Sequence, residues 1–174
     1  MGVTMSKKLK YRSDYVFIGL DPGSTGAATV LFSDRRKEPV IFPFAKKSPK
    51  EIVDFLDLFE GRKAKPFFLI EKVHGAGTSF GGTGRTGGKV MFTFGWNAGL
   101  LYGLCVRNQL AEVTPTVWQK EFGLAGKKKT TTNAKKNTHK DKALKLFPTT
   151  HITLQTADSL LIALYCRRHY EDLF

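Results

Sequence analysis

The stretch from Tyr15 to Phe32, YVFIGLDPGSTGAATVLF, constrains the fold more than any other part of this 174-residue chain. Two apolar runs, Tyr15–Leu20 and Ala27–Phe32, flank the turn sequence DPGSTG. Pro22 and Gly23 are turn formers, and Gly26 permits a backbone that a β-carbon would obstruct. The pattern predicts a β-hairpin with a buried first strand. Asp21 closes that strand, where an unpartnered carboxylate is costly.

Further along, Val40–Phe44 reads as a strand. Ser48, Pro49 and Glu51 predict a capped helix whose apolar face is Ile52, Phe55, Leu56 and Phe59. FFLIEKV, Phe67–Val73, is another buried strand, interrupted by Glu71. The segment His74–Val90 holds seven glycines and predicts irregular structure. A helix from Met91 to about Gln109 carries Gly95, Gly99 and Gly103 at four-residue spacing, a stripe suited to close packing on the sheet or on a twin helix in a homodimer. Ala111–Thr114 predicts a fifth strand, and a helix starts at Pro115 and ends near Gly123. Lys140–Leu146 is helical, and Gln155 or Thr156 caps a last helix with Leu160, Leu161, Leu164 and Tyr165 inward. This order predicts an α/β sandwich around one five-stranded mixed sheet flanked by helices. Residues 1–13 read as a flexible basic arm, and 14–174 as a single domain.

Charge narrows the function. Lysine and arginine total 28 against 15 acids, a net +13, which implies an anionic partner, most often nucleic acid. The excess is concentrated: Lys127–Lys145 contains eight lysines and one acid, Asp141. No apolar run reaches the roughly 18 residues of a membrane span, and the N-terminus lacks the apolar core of a secretion signal. Cys105 and Cys166 fall in apolar helical patterns without metal-ligand spacing. They read as reduced core residues of an intracellular protein in a reducing compartment.

Asp21 ends one buried strand, Glu71 lies near the end of another, and Asp158 lies in the first turn of an apolar-faced helix. Any one of them alone suits a cap or a buried ion pair. Three such acids in a basic protein are better explained by a shared cation. Oxygen-only ligands select Mg²⁺, or Mn²⁺ in its place. Two such ions can run an in-line phosphodiester hydrolysis.

IGLDPGSTGAA, LIEKVHG, TPTVWQKEFG and TADSLLIALY, in this order, resemble the motifs of RuvC-family Holliday-junction resolvases, most closely the phage, viral and organellar branch. The resemblance runs from about Val16 to Tyr165. It implies an RNase H-like fold, a homodimer, and metal-dependent nicking of four-way or other branched DNA. It also implies Asp21, Glu71 and Asp158 as the catalytic metal ligands. One position departs: where the family usually places a further Asp or His, one helical turn before the last acid, this chain has Gln155. A glutamine carbonyl can ligate Mg²⁺ but adds no charge.

Trp118, Lys120, Lys127, Lys128, Lys129, Lys135 and Lys136 follow the fifth strand and read as DNA contacts, the lysines as phosphate clamps. His74 and Phe80 are candidates to stack on or wedge between bases, with Arg85 and Lys89 on phosphates. The glycine-rich segment is not a nucleotide-phosphate loop, because Thr83 replaces the first glycine and Val90 the final Ser/Thr. Two alternatives stand beside the nuclease. One is a non-catalytic branched-nucleic-acid-binding module. The other is a fragment of an actin-like phosphotransferase, whose phosphate hairpin LDPGSTGAA also resembles.

Overall fold

The structure, a computed structural model, describes residues 15–23, 25–60, 65–72, 86–125 and 131–173. Five strands form one sheet: β1 (Tyr15–Asp21), β2 (Ala27–Phe32), β3 (Val40–Pro43), β4 (Lys65–Glu71) and β5 (Gln109–Val113). Their order is β3-β2-β1-β4-β5. The hairpin pairs β1 with β2 antiparallel, Ile18 facing Val30, and β3 extends it antiparallel. β1 and β4 run parallel, as do β4 and β5.

Helices cover both faces. α1 (Pro49–Asp57) and α2 (Thr86–Cys105) pack on a core of Val16, Ile18, Leu20, Val30, Phe68 and Ile70. α3 (Pro115–Glu121), α4 (Thr132–Leu146) and α5 (Ala157–Tyr170) share the other core, with Phe17, Leu31, Phe67 and Leu69. The period-2 alternation of β1 sends Ile18 and Leu20 to one face and Phe17 to the other. Gly19 follows Phe17 toward α5. A Cβ there would stand 2.2 Å from the Ala163 nitrogen and 2.4 Å from the Ser159 oxygen. Glycine thus lets α5 lie directly on β1. A buried hydrogen bond between Thr29 Oγ1 and Ser159 Oγ, 2.7 Å, ties the start of α5 to β2.

The capping box of α1 forms as its sequence predicts, with Ser48 and Glu51 satisfying each other's backbone N–H. Cys105 and Cys166 are free and buried. The strands β4 and β5 each begin two residues earlier than expected, and α2 and α4 differ more. α2 begins at Thr86, inside the glycine-rich segment, and ends at Cys105, four residues before Gln109 opens β5. Gly87 and Gly88 fall in its first turn rather than in its interior, where glycine costs most. α4 begins at Thr132, eight residues before Lys140, because the Thr131 side chain accepts from the Ala134 N–H and nucleates the helix earlier. The glycine stripe of α2 does not pack on the sheet: a Cβ on Gly95, Gly99 or Gly103 would meet nothing within 4 Å. Ala98, Leu101 and Cys105 face the core instead. Among the described residues, no helix is long and apolar enough to cross a membrane.

Candidate active site

Parallel pairing of β1 with β4 brings two of the acids together. Leu20 pairs with Ile70, so the next residue on each strand, Asp21 and Glu71, ends its strand at the same edge of the sheet. The turn after β1 is shaped around Asp21. Gly23 donates its N–H to Oδ1 at 3.0 Å, and a Cβ on Gly26 would stand 2.1 Å from the Asp21 carbonyl oxygen and 3.0 Å from its Cγ. α5, seated on Gly19, delivers Asp158 to this edge from its first turn.

The electrostatics record the convergence. Burial pushes the Asp21 carboxyl up to about 6, and the charge of Asp158 adds to this; the Gly23 N–H and Lys136 act in the opposite direction. Burial pushes Glu71 up to about 7, with Asp21 and Asp158 adding, against a Trp118 hydrogen bond and Lys135. The three acids therefore sense one another across three elements. Among the described residues, no three His, Cys, Asp or Glu side chains form a ready-made cage for an ion. The chemistry of the donor set nonetheless fits one. Carboxylate oxygens whose ionisation is opposed by burial and by each other are what a hard divalent cation relieves.

One residue behaves unlike the sequence expectation. Trp118 is fully buried on α3, so it is not available to contact DNA. Its indole Nε1–H instead donates to Glu71 Oε1 at 2.9 Å. A tryptophan amid Lys120 and other polar residues suits a DNA platform as well as a core, and only packing separates the two. Gln155 is exposed and precedes the Thr156 N-cap. The side chain beside Asp158 belongs to His139, whose Nδ1 lies 2.7 Å from Asp158 Oδ1. Sequence reading missed His139. The available signal was spacing: His139, Ala143 and Leu146 share one face of α4, the face packed on α5.

Of the remaining candidates, Lys120 is exposed on α3, and Lys135 (exposed) and Lys136 (half-buried) stand near the start of α4. Lys135 and Lys136 are close enough to Glu71 and Asp21 to act on their charges. Lys89 lies in the first turn of α2, its side chain outside those described. His74, Phe80, Arg85, Lys127, Lys128 and Lys129 lie outside the described residues, as do residues 1–13.

No protein-family model matches the chain, and no curated protein matches it. Solved structures do. T. thermophilus RuvC in complex with Holliday junction substrate superposes with a TM-score of 0.56 at 13% identity, covering 91% of this chain and 96% of that one. The fold is RNase H-like. At this identity the likeness speaks for the fold alone, and the five-stranded mixed sheet with helices on both faces agrees with it.

Proposed function

We propose that this protein is a divalent-metal-dependent endonuclease that nicks four-way or other branched DNA, akin to the phage, viral and organellar branch of RuvC-like resolvases. The observation that carries the reading is the meeting of Asp21, Glu71 and Asp158 at one sheet edge, where burial and mutual repulsion oppose their ionisation. Asp21, Glu71 and Asp158 would hold Mg²⁺ or Mn²⁺, with Gln155 at most an uncharged contributor. Two such ions supply electrophilic stabilisation for in-line attack of water on a phosphodiester. The chain's own part is to bind and orient. Lys135, Lys136 and Lys120, with the neighbouring Lys127, Lys128 and Lys129, would hold the backbone of the DNA by charge. His74, Phe80, Arg85 and Lys89 are proposed contacts at the branch point. Water would add at phosphorus as one P–O bond breaks, its proton passing to the departing oxygen, so that the nick leaves a hydroxyl on one side and a phosphate monoester on the other.

A homodimer fits the same reading. α2 exposes Phe92 (72%) and Trp96 (60%), their rings 6.3 Å apart, beside the open Gly95–Gly99–Gly103 stripe. A twin helix would cover both. Two copies would present two sites to a junction with two strands to cut.

The experiment is nicking of a synthetic four-way junction with Mg²⁺ and with EDTA, alongside Asp21→Asn. Metal-dependent nicks that vanish in Asp21→Asn are expected. Junction binding without nicking at any Mg²⁺ or Mn²⁺ concentration would select the non-catalytic binding module, a reading that the uncharged Gln155 favours. Turnover of ATP without nicking would select the phosphotransferase.

A further inference from the structure

Two of the three acids are each held by a buried ring, and the two rings touch. Trp118, wholly buried, donates to Glu71 Oε1 at 2.9 Å. His139, its side chain 4% exposed, meets Asp158 Oδ1 at 2.7 Å through Nδ1. The indole and imidazole centroids lie 5.3 Å apart with planes at 72°, an edge-to-face contact. An unbroken path of polar and aromatic contacts thus runs from Glu71 on β4, through α3 and α4, to Asp158 on α5.

His139 is expensive for the fold. Its Nε2 is buried with no hydrogen-bond partner among the described residues. An aliphatic residue beside Ala143 would pack the same seam without that cost. Nδ1 is the ring nitrogen that faces Asp158, and since a carboxylate oxygen accepts, Nδ1–H is the donor of that pair. Trp118 has one donor, and it too is spent on a carboxylate. Both acids repel Asp21 and each other. Left free, they would turn apart.

We propose that Trp118 and His139 act together as positioning residues, holding Glu71 and Asp158 in a fixed relation so that the site is organised before a divalent cation arrives. This rests on the metal-dependent reading above. Neither ring touches the cation or the DNA. Each fixes the oxygen that its partner acid does not present, as outer partners of metal ligands do.

The test is Mn²⁺ binding to the intact chain without DNA, followed by electron paramagnetic resonance, with melting temperature in EDTA and junction affinity in EDTA as controls. His139→Phe keeps a ring against Trp118 but removes the donor. It should weaken Mn²⁺ binding by about tenfold, leave junction affinity unchanged, and leave the EDTA melting temperature equal or higher. His139→Asn, whose amide nitrogen can stand where Nδ1 stood, should keep most of the affinity. Trp118→Phe should weaken binding similarly, and the double variant should lose less than the product of the two single losses. Equal Mn²⁺ affinity in the native chain and His139→Phe overturns the positioning role and leaves the metal reading intact. No saturable Mn²⁺ binding by the native chain overturns the metal reading, and this inference with it. Should His139→Phe fail to fold, His139→Asn against His139→Ala carries the comparison: affinity kept by asparagine and lost by alanine supports the proposal, and equal affinities overturn it.

Discussion

Gly19 and Ser159 touch: a Cβ on Gly19 would lie 2.4 Å from the Ser159 carbonyl oxygen, one residue after Asp158. The distance between the first and last acids is therefore set by the absence of one methyl group. β1 carries Asp21 two residues beyond Gly19, and α5 carries Asp158 just before Ser159. The same contact builds the core and brings together the candidate site.

Gly19→Ala should damage both. The clash is with backbone, which cannot rotate away, so α5 must lift from β1. A loss of about 1–3 kcal/mol or more is expected from overpacking of this kind, read by urea denaturation. Nicking should fall further than the unfolded fraction accounts for, because Asp158 moves with the helix. A variant as stable and active as the native chain would show that α5 sits elsewhere.

The raised acids predict a pH dependence of stability. Asp21 rises from 3.8 to about 6 and Glu71 from 4.5 to about 7. A group with a raised folded-state pKa holds its proton longer in the folded chain than in the unfolded one. Its contribution is fully present below about pH 4 and is lost as pH rises through about 6 and 7. In EDTA the native chain should therefore lose melting temperature across that window relative to Asp21→Asn/Glu71→Gln. Excess Mg²⁺ or Mn²⁺ above about pH 7 should recover the loss. Parallel melting curves for the two chains would mean that the acids do not crowd one another.

Lys135 and Lys136 act on Glu71 and Asp21 from the start of α4. Their replacement by alanine should weaken junction binding and lower the log–log salt slope by about two, one for each phosphate contact. Fluorescence anisotropy across a salt series measures it. An unchanged slope would assign these lysines to holding the acids rather than the DNA.

Phe92 and Trp96 leave an aromatic pair in solvent on α2. Trp96→Glu should convert a dimer to a monomer in analytical ultracentrifugation with no loss of melting temperature beyond that of dissociation. A native chain that sediments as a monomer at micromolar concentration would remove the twin-helix interface.

Much of this was legible locally. The hairpin, the α1 cap and the last helix follow from turn residues, capping chemistry and apolar spacing, all of which act over a few positions. Asp21, Glu71 and Asp158 stood out because each breaks an apolar pattern, and such a conflict is visible in the sequence before any partner is known. What covers a side chain is a different matter. Trp118 meets Glu71 across 47 positions and His139 meets Asp158 across 19. A tryptophan has an apolar body and one donor whether it faces DNA or a carboxylate, so its burial was decided by how α3 packs on the sheet. A histidine in a lysine-rich segment looks solvated until α4 turns its seam of His139 and Ala143 onto α5. The glycines of α2 likewise promise a close neighbour without saying which, and the fold turned them outward. The sequence determined the strands, the turns and which acids break an apolar pattern, all through local chemistry; the tertiary structure decided which rings meet those acids, because that depends on contacts between elements far apart in the chain.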